Sequence, residues 1–199
     1  MKDAELTPKY GRKKAKNIHT DKETAEKYIA DNMYRKLSEE DKKKEIWSMD
    51  FTEEEISGKT IYTCGIVSVN TKVLIARISG CKNDSNAAME TVLKGIQQFG
   101  VPYMIMTDRG SPFTSKSFRE TLAHFKTVHS MSRPHTPVDN RYIETFWKSM
   151  KTEIGKVKQL SMSEYFMILD FYEYYYNYVR PHSTLGYCAP MDALVKSVI

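Results

Sequence analysis

From residue 46 onward, apolar and polar positions alternate. Ile46, Trp47, Met49 and Phe51 predict a strand in which Asp50 faces away from Met49 and Phe51. Gly58-Lys59 marks a turn, and residues 60–70 (TIYTCGIVSVN), rich in β-branched side chains, predict a second strand. After a turn at Asn70-Thr71-Lys72, residues 73–78 give a third, and three strands on short links form an antiparallel meander. The period then lengthens. Asn83-Asp84-Ser85 offers an N-cap, Ala87, Ala88, Val92, Leu93 and Ile96 recur at helical spacing, and Gly100 with Pro102 ends the helix. Residues 103–106 are wholly apolar, as in a strand buried on both faces. A helix over 115–125 (Phe118, Leu122 and Phe125 inward), a fifth strand over 127–130, a loop at 134–137, a long helix over 138–157 and a last helix over 163–178 follow. Residues 180–190 read as a Pro/Gly-punctuated tail. The order β-β-β-α-β-α-β-α-α predicts an α/β fold, a five-stranded mixed sheet flanked by helices on both faces.

The chain divides into a charged extension over 1–45, a core over 46–157, and a C-terminal helix and tail over 158–199 that pack on the core. The first 46 residues carry 13 Lys or Arg against 10 Asp or Glu and few large apolar side chains. Residues 9–16 (KYGRKKAK) read as a solvated tail or as a basic arm for phosphates. Ala25, Tyr28, Ile29, Met33 and Leu37 fit one short helix over 21–37, and 38–45 reads as a linker. At 199 residues and 41% hydrophobic, the chain has material for one core, and its net charge of +5 is compatible with a polyanionic partner without requiring one. Cys64, Cys81 and Cys188 show no paired spacing, and Cys64 and Cys81 read as reduced core thiols, which suggests a cytoplasmic protein. The five histidines form no His–Cys zinc pattern, and no apolar run is long enough for a membrane span.

The candidate chemistry lies in three carboxylates. Asp50 interrupts a run of large apolar residues, where a carboxylate is expensive unless it faces a cation. Asp108 ends the apolar strand and precedes Arg109-Gly110-Ser111, in which Gly110 permits a tight turn and Arg109 can reach a phosphate. Glu144 falls on the long helix, on one face with Asn140, Lys148 and Lys151. Such a set suits two Mg²⁺ or Mn²⁺ ions, with Asp50 between them and Asp108 and Glu144 each completing one, while Lys148, Lys151, Arg109 and Asn140 are the candidate DNA contacts. The same spacing also fits an ordinary i,i+4 Glu144–Lys148 pair worth a few tenths of a kcal/mol. Asp84, Asp139 and Glu153 are rivals that read as caps or surface charges, although Asp139 is near Glu144 in sequence. Phe146 and Trp147 read as core, the Tyr165-Leu169-Tyr172-Tyr176 spacing as a packing face, and His182 as structural.

Four segments carry a resemblance: Trp47-Ser-Met-Asp50-Phe-Thr52, Thr107-Asp108-Arg-Gly-Ser-Pro-Phe-Thr-Ser115, Asp139 to Lys151 (DNRYIETFWKSMK) and Tyr176 to Tyr187 (YNYVRPHSTLGY). Together they resemble the DDE transposases of bacterial insertion sequences, of the second-reading-frame type whose core is similar to retroviral integrase. The resemblance covers roughly residues 46–192. It implies an RNase H-like fold, Mg²⁺ or Mn²⁺ as cofactor, transposon-end and target DNA as partners, and strand transfer in a synaptic homo-oligomer. It also implies that Asp50, Asp108 and Glu144 are the catalytic triad and that Lys148 and Lys151 are basic residues at the DNA end. The chain departs from the family's pattern in residues 132–138 (SRPHTPV), where a Gly- or Asn-containing stretch is usual, and at Arg141, where a small residue is common. The upstream helix-turn-helix domain of full-length relatives reads as missing or reduced. Two other classes fit the residues: an RNase H-fold nuclease that cuts without joining, and an inactive DNA-binding module.

Overall fold

The computed structural model describes residues 31–133 and 136–198. The basic run at 9–16, most of the helix expected over 21–37, and Pro134 with His135 lie outside them. Strands β1 (Ile46–Ile56), β2 (Lys59–Ser68) and β3 (Leu74–Gly80) form the meander. Helix α1 (Ser85–Phe99), strand β4 (Met104–Thr107), helices α2 (Ser111–Thr114) and α3 (Lys116–His124), and strand β5 (Val128–Met131) follow. Helices α4 (Arg141–Ile154), α5 (Met162–Tyr178) and α6 (Pro190–Val198) complete the order.

The five strands make one mixed sheet ordered β3-β2-β1-β4-β5, antiparallel through the meander and parallel from β1 to β5. The alternation along β1 decides which layer each side chain meets. Trp47 and Met49 pack with Cys64, Ile66 and Ile105 against Ala88 and Val92 of α1 and Phe113, Phe118 and Leu122 of α2 and α3. On the opposite face Ile56, Ile61, Val67 and Leu74 meet Ile143, Phe146, Trp147 and Met150 of α4 and the Tyr165-Leu169-Tyr172-Tyr176 stripe of α5. Phe146, Trp147 and that tyrosine stripe are therefore core, as their spacing predicts.

α1 is capped as expected, the Asp84 carboxylate accepting the Ala87 N–H at 3.0 Å, but Leu93 of its presumed inner stripe is 46% exposed. β1 runs on through Thr52 to Ile56, paired with β2 down to Lys59. The helix expected over 115–125 is α3, capped by Ser115, whose Oγ accepts the Phe118 N–H at 3.2 Å, and the short α2 ahead of it is unforeseen. The helix expected from residue 138 starts at Arg141, after a 3-10 turn at Pro137–Asn140. The tail past Arg180 holds a 3-10 turn at Ser183–Leu185 and the unforeseen α6. Of the expected 21–37 helix, the described part is only a 3-10 turn at Tyr34–Lys36. This segment lies on the core: Tyr34 and Leu37 pack on Ile46, Val69, Met104 and Met106, and the Tyr34 N–H donates to Ser130 Oγ at 3.3 Å. Cys64 is buried, whereas Cys81 is exposed rather than in the core.

Candidate active site

Asp50 and Asp108 come together through strand register. β1 and β4 run parallel, with Ser48 paired to Met106. Continuing that register by two residues sets Asp50 opposite Asp108, which lies just past the end of β4. Adjacent strands stand about 4.8 Å apart, so two carboxylates on the same face meet there. That face is the α4 face: Asp50 pairs across β1–β2 with Gly65, and a Cβ on Gly65 would stand 2.6 Å from Trp147 Cη2. The missing side chain lets α4 settle against the sheet beside Asp50, one turn from Glu144, which lies in the first turn of α4.

Contacts at three points hold this arrangement. Ser48 Oγ donates to Asn140 Oδ1 at 2.7 Å, and Asn140 Nδ2 donates to the Met49 carbonyl at 3.4 Å, fastening the start of α4 to β1. At the other end Lys151 Nζ donates to the Glu53 carbonyl at 2.9 Å and pairs with Glu54 at 2.9 Å. Under Asp108, the Gly110 N–H donates to Asp108 Oδ1 at 2.8 Å, and Thr107 Oγ1 bridges the Asp108 carbonyl and His129 Nε2 at 2.8 and 2.9 Å. Burial and the nearby Arg119 charge push His129 down to about 4, so its ring is neutral at physiological pH.

The carboxylates feel one another. Asp50 is pushed up to about 7 by burial and by the charges of Asp108 and Glu144, against the stabilising Phe51 N–H. Glu144 is also raised, by burial and by Asp108. Glu144 and Lys148 form no ion pair among the described residues, so the ordinary surface-pair reading fails. Among the described residues no group of three His, Cys, Asp or Glu side chains stands close enough to cage an ion as the side chains lie. The donors are nevertheless the hard oxygens that Mg²⁺ and Mn²⁺ take, and among the described residues half-buried Asp50 has no cationic side chain against it.

The other candidates divide. Lys148 is exposed and makes no ion pair among the described residues. Asn140 is 3% exposed and engaged with β1, so it is a clamp and not a surface for DNA. Arg109 Nε donates to the Ser132 carbonyl at 2.8 Å, tying the turn after Asp108 to the loop after β5. Asp139, the rival carboxylate, is buried and held by Arg133 at 3.0 Å and Arg35 at 3.5 Å. Burial works against its ionisation, but the Arg133 hydrogen bonds keep it below the usual carboxylate range. His182 packs edge-on to Tyr176 at 4.8 Å, a structural placement. Gly65 and Ser48 escaped the sequence reading, although a glycine inside a β-branched strand signals close approach of another element.

The raised Asp50 pKa has a thermodynamic consequence. An unfolded Asp titrates near 4, so between about pH 4 and 7 the folded chain holds the proton more tightly, and stability falls as pH rises through that window. Asp50→Asn removes the slope. In EDTA the variant should be more stable than the parent above about pH 7 by on the order of 2–4 kcal/mol, the gain fading toward about pH 4. Thermal melts across that range check it, and a variant less stable than the parent at the alkaline end contradicts it.

Comparisons with known proteins agree with this architecture. Two family profiles, both described as integrase core domain, match residues 40–137 and 126–190. The chain belongs to the integrase core domain family. It is 27% identical over 154 residues to the transposase for insertion sequence element IS904 of Lactococcus lactis, covering 74% of this chain and 60% of that protein. It is also 27% identical over 146 residues to a protein of insertion element IS476 of Xanthomonas euvesicatoria, covering 72% of this chain and 42% of that one. The chain thus spans about half the length of these relatives. Among solved structures, the HTLV-2 integrase catalytic core in complex with magnesium superposes with a TM-score of 0.60 at 16% identity, covering 74% of this chain and 94% of that one. A chain of the simian T-cell lymphotropic virus intasome gives 0.64 at 18% identity, covering 74% and 53%. These likenesses establish the RNase H-like integrase fold. No helix among the described residues is long and apolar enough to cross a membrane.

Proposed function

We propose that this integrase core is the catalytic part of a DNA strand transferase that cleaves and joins DNA at the ends of a mobile element. Asp50, Asp108 and Glu144 are its catalytic acids, and Mg²⁺ or Mn²⁺ is its cofactor. The observation that carries the reading is the register that sets Asp50 beside Asp108, with Glu144 presented over them by α4. Two bound divalent ions would supply activation of the attacking oxygen and charge neutralisation at the leaving one. The chain's own residues do the rest. Gly110 and the Thr107–His129 pair fix the Asp108 turn, Asn140 and Lys151 fix the pitch of α4, and Lys148 presents a free ammonium to a phosphate. A multimer is the working form in this reading. The likeness to an intasome chain and to integrase cores solved as dimer and trimer supports it.

A joining assay with labelled oligonucleotides and Mn²⁺ tests the reading: it predicts strand-transfer products longer than the substrate. Shortened products alone would make the protein a nuclease. Lys148→Ala should weaken duplex binding several-fold at low salt and reduce the dependence of log K on log salt by about one. An unchanged salt slope would remove Lys148 from the phosphate contacts.

A further inference from the structure

A cavity of about 670 Å³ opens between α4, the C-terminal end of α5 and the turn at 181–187, with none of the three acids in its lining. It is lined by Lys72, Arg141, Tyr176, Arg180, His182 and Tyr187 among others, and none of its described lining residues is acidic. Arg180 is already neutralised, its guanidinium gripping Glu153 at 2.7–3.1 Å. Lys72 and Arg141 are not. Neither forms an ion pair among the described residues. Half-buried Lys72 donates to the Val69 carbonyl and stands 4.7 Å above the Tyr142 ring, and Arg141 covers the same ring at 5.0 Å. Two cations sharing one ring with no counter-charge favour an anion between them. Lys72 at φ +62° and Tyr187 at φ +63° both occupy the left-handed region, which disfavours long and bulky side chains. Tyr187 is 76% exposed at the rim, its ring uncovered.

We propose that this cavity seats an unpaired nucleotide of the DNA strand leaving the acidic site, its phosphate between Lys72 and Arg141 and its base on Tyr187. The volume falls in the range of pockets that enclose small ligands, about 300–1,000 Å³, and suits one nucleotide but no duplex. Arg141, which lines the cavity, precedes Glu144 by three residues on α4, about 4–5 Å along the helix axis, and so links the cavity to the element that carries one of the acids. His182 supports the wall: its ring is neutral, pushed down to about 4 by burial and by Arg180, and Nε2 accepts from Arg180 Nη1 at 3.3 Å.

The proposal rests on the strand-transferase reading, and the test separates the two. Binding of the full chain is read by fluorescence anisotropy in EDTA, with labelled duplexes either blunt or carrying a short single-stranded extension. The parent should prefer the extended duplex about tenfold, as stacking of one base gives. Tyr187→Ala and the pair Lys72→Met/Arg141→Gln should each bring that preference close to one. Tyr187 and Arg141 are exposed, so their substitution leaves the core intact. A parent without preference, or variants that keep it, overturns the cavity site while leaving joining activity to stand. A parent that binds neither DNA overturns both.

Discussion

Asp108→Asn should abolish Mn²⁺-dependent DNA joining, by about 10³-fold or more, while leaving the melting temperature within a few degrees of the parent. The loss follows from charge. A metal-assisted phosphoryl displacement draws several kcal/mol from cations held at the reacting oxygens, and about 4 kcal/mol is a factor of 10³ in rate. Removing one of the two strand-borne carboxylates removes a ligand charge that the amide does not replace. The fold is spared because the turn needs only Oδ1: in the parent it accepts the Gly110 N–H at 2.8 Å, and Asn offers the same acceptor. Asp108 is exposed, so no buried group is orphaned. Product formation on sequencing gels, with melts of the same preparations, gives both readouts. Retained joining would remove Asp108 from the chemistry, and loss of joining with a collapsed melt would make the effect structural.

Gly65→Ala should destabilise the protein by about 2–3 kcal/mol, a large effect for one methyl group. The new Cβ would stand 2.6 Å from Trp147 Cη2 and 2.8 Å from Cζ2, and Trp147 is 5% exposed within the cluster of Phe146, Met150, Tyr172 and Tyr176. The indole is buried among these side chains, and overpacking of this kind costs about 1–3 kcal/mol. The strain falls on the joint that sets Glu144 over Asp50, so joining activity should drop more than stability alone accounts for. Trp147→Phe in the same background should recover much of the loss. It removes the ring atoms in conflict, and the buried Nε1 that disappears with them has no hydrogen-bond partner among the described residues. Chemical denaturation of the four proteins of this cycle measures the coupling. Additive costs would mean that Gly65 is not what lets α4 approach.

The parts of the fold legible in the sequence are those in which a local rule and the packing agree. Alternation along β1 placed Asp50 opposite Met49 and Phe51, and the two faces of the sheet bear this out. The Asp84 cap and the tyrosine spacing of α5 did the same for two helices. Other segments hide their structure. Thr52 to Glu55 are polar, yet they pair with β2, because an antiparallel ladder is held by backbone groups and tolerates a wet face. Pro190 reads as the end of a tail, but Pro suits the first turn of a helix, where α6 begins. The error over Asn140 has a similar origin. Counting four residues back from Glu144 assumes a helix already under way at 140, whereas the chain there is a 3-10 turn that directs the amide onto Ser48 and Met49. The site itself needs long-range facts, the β1–β4 register and the gap at Gly65, that no local pattern contains.

Calorimetric titration of the full chain with Mn²⁺, beside Asp50→Asn, Asp108→Asn and Glu144→Gln, bears most directly on the claim that β1, β4 and α4 deliver one shared set of ligands. The parent should bind Mn²⁺, each aspartate variant should lose most of that heat, and Glu144→Gln should weaken it. No binding by the parent at millimolar Mn²⁺, or equal binding by all four proteins, would contradict it.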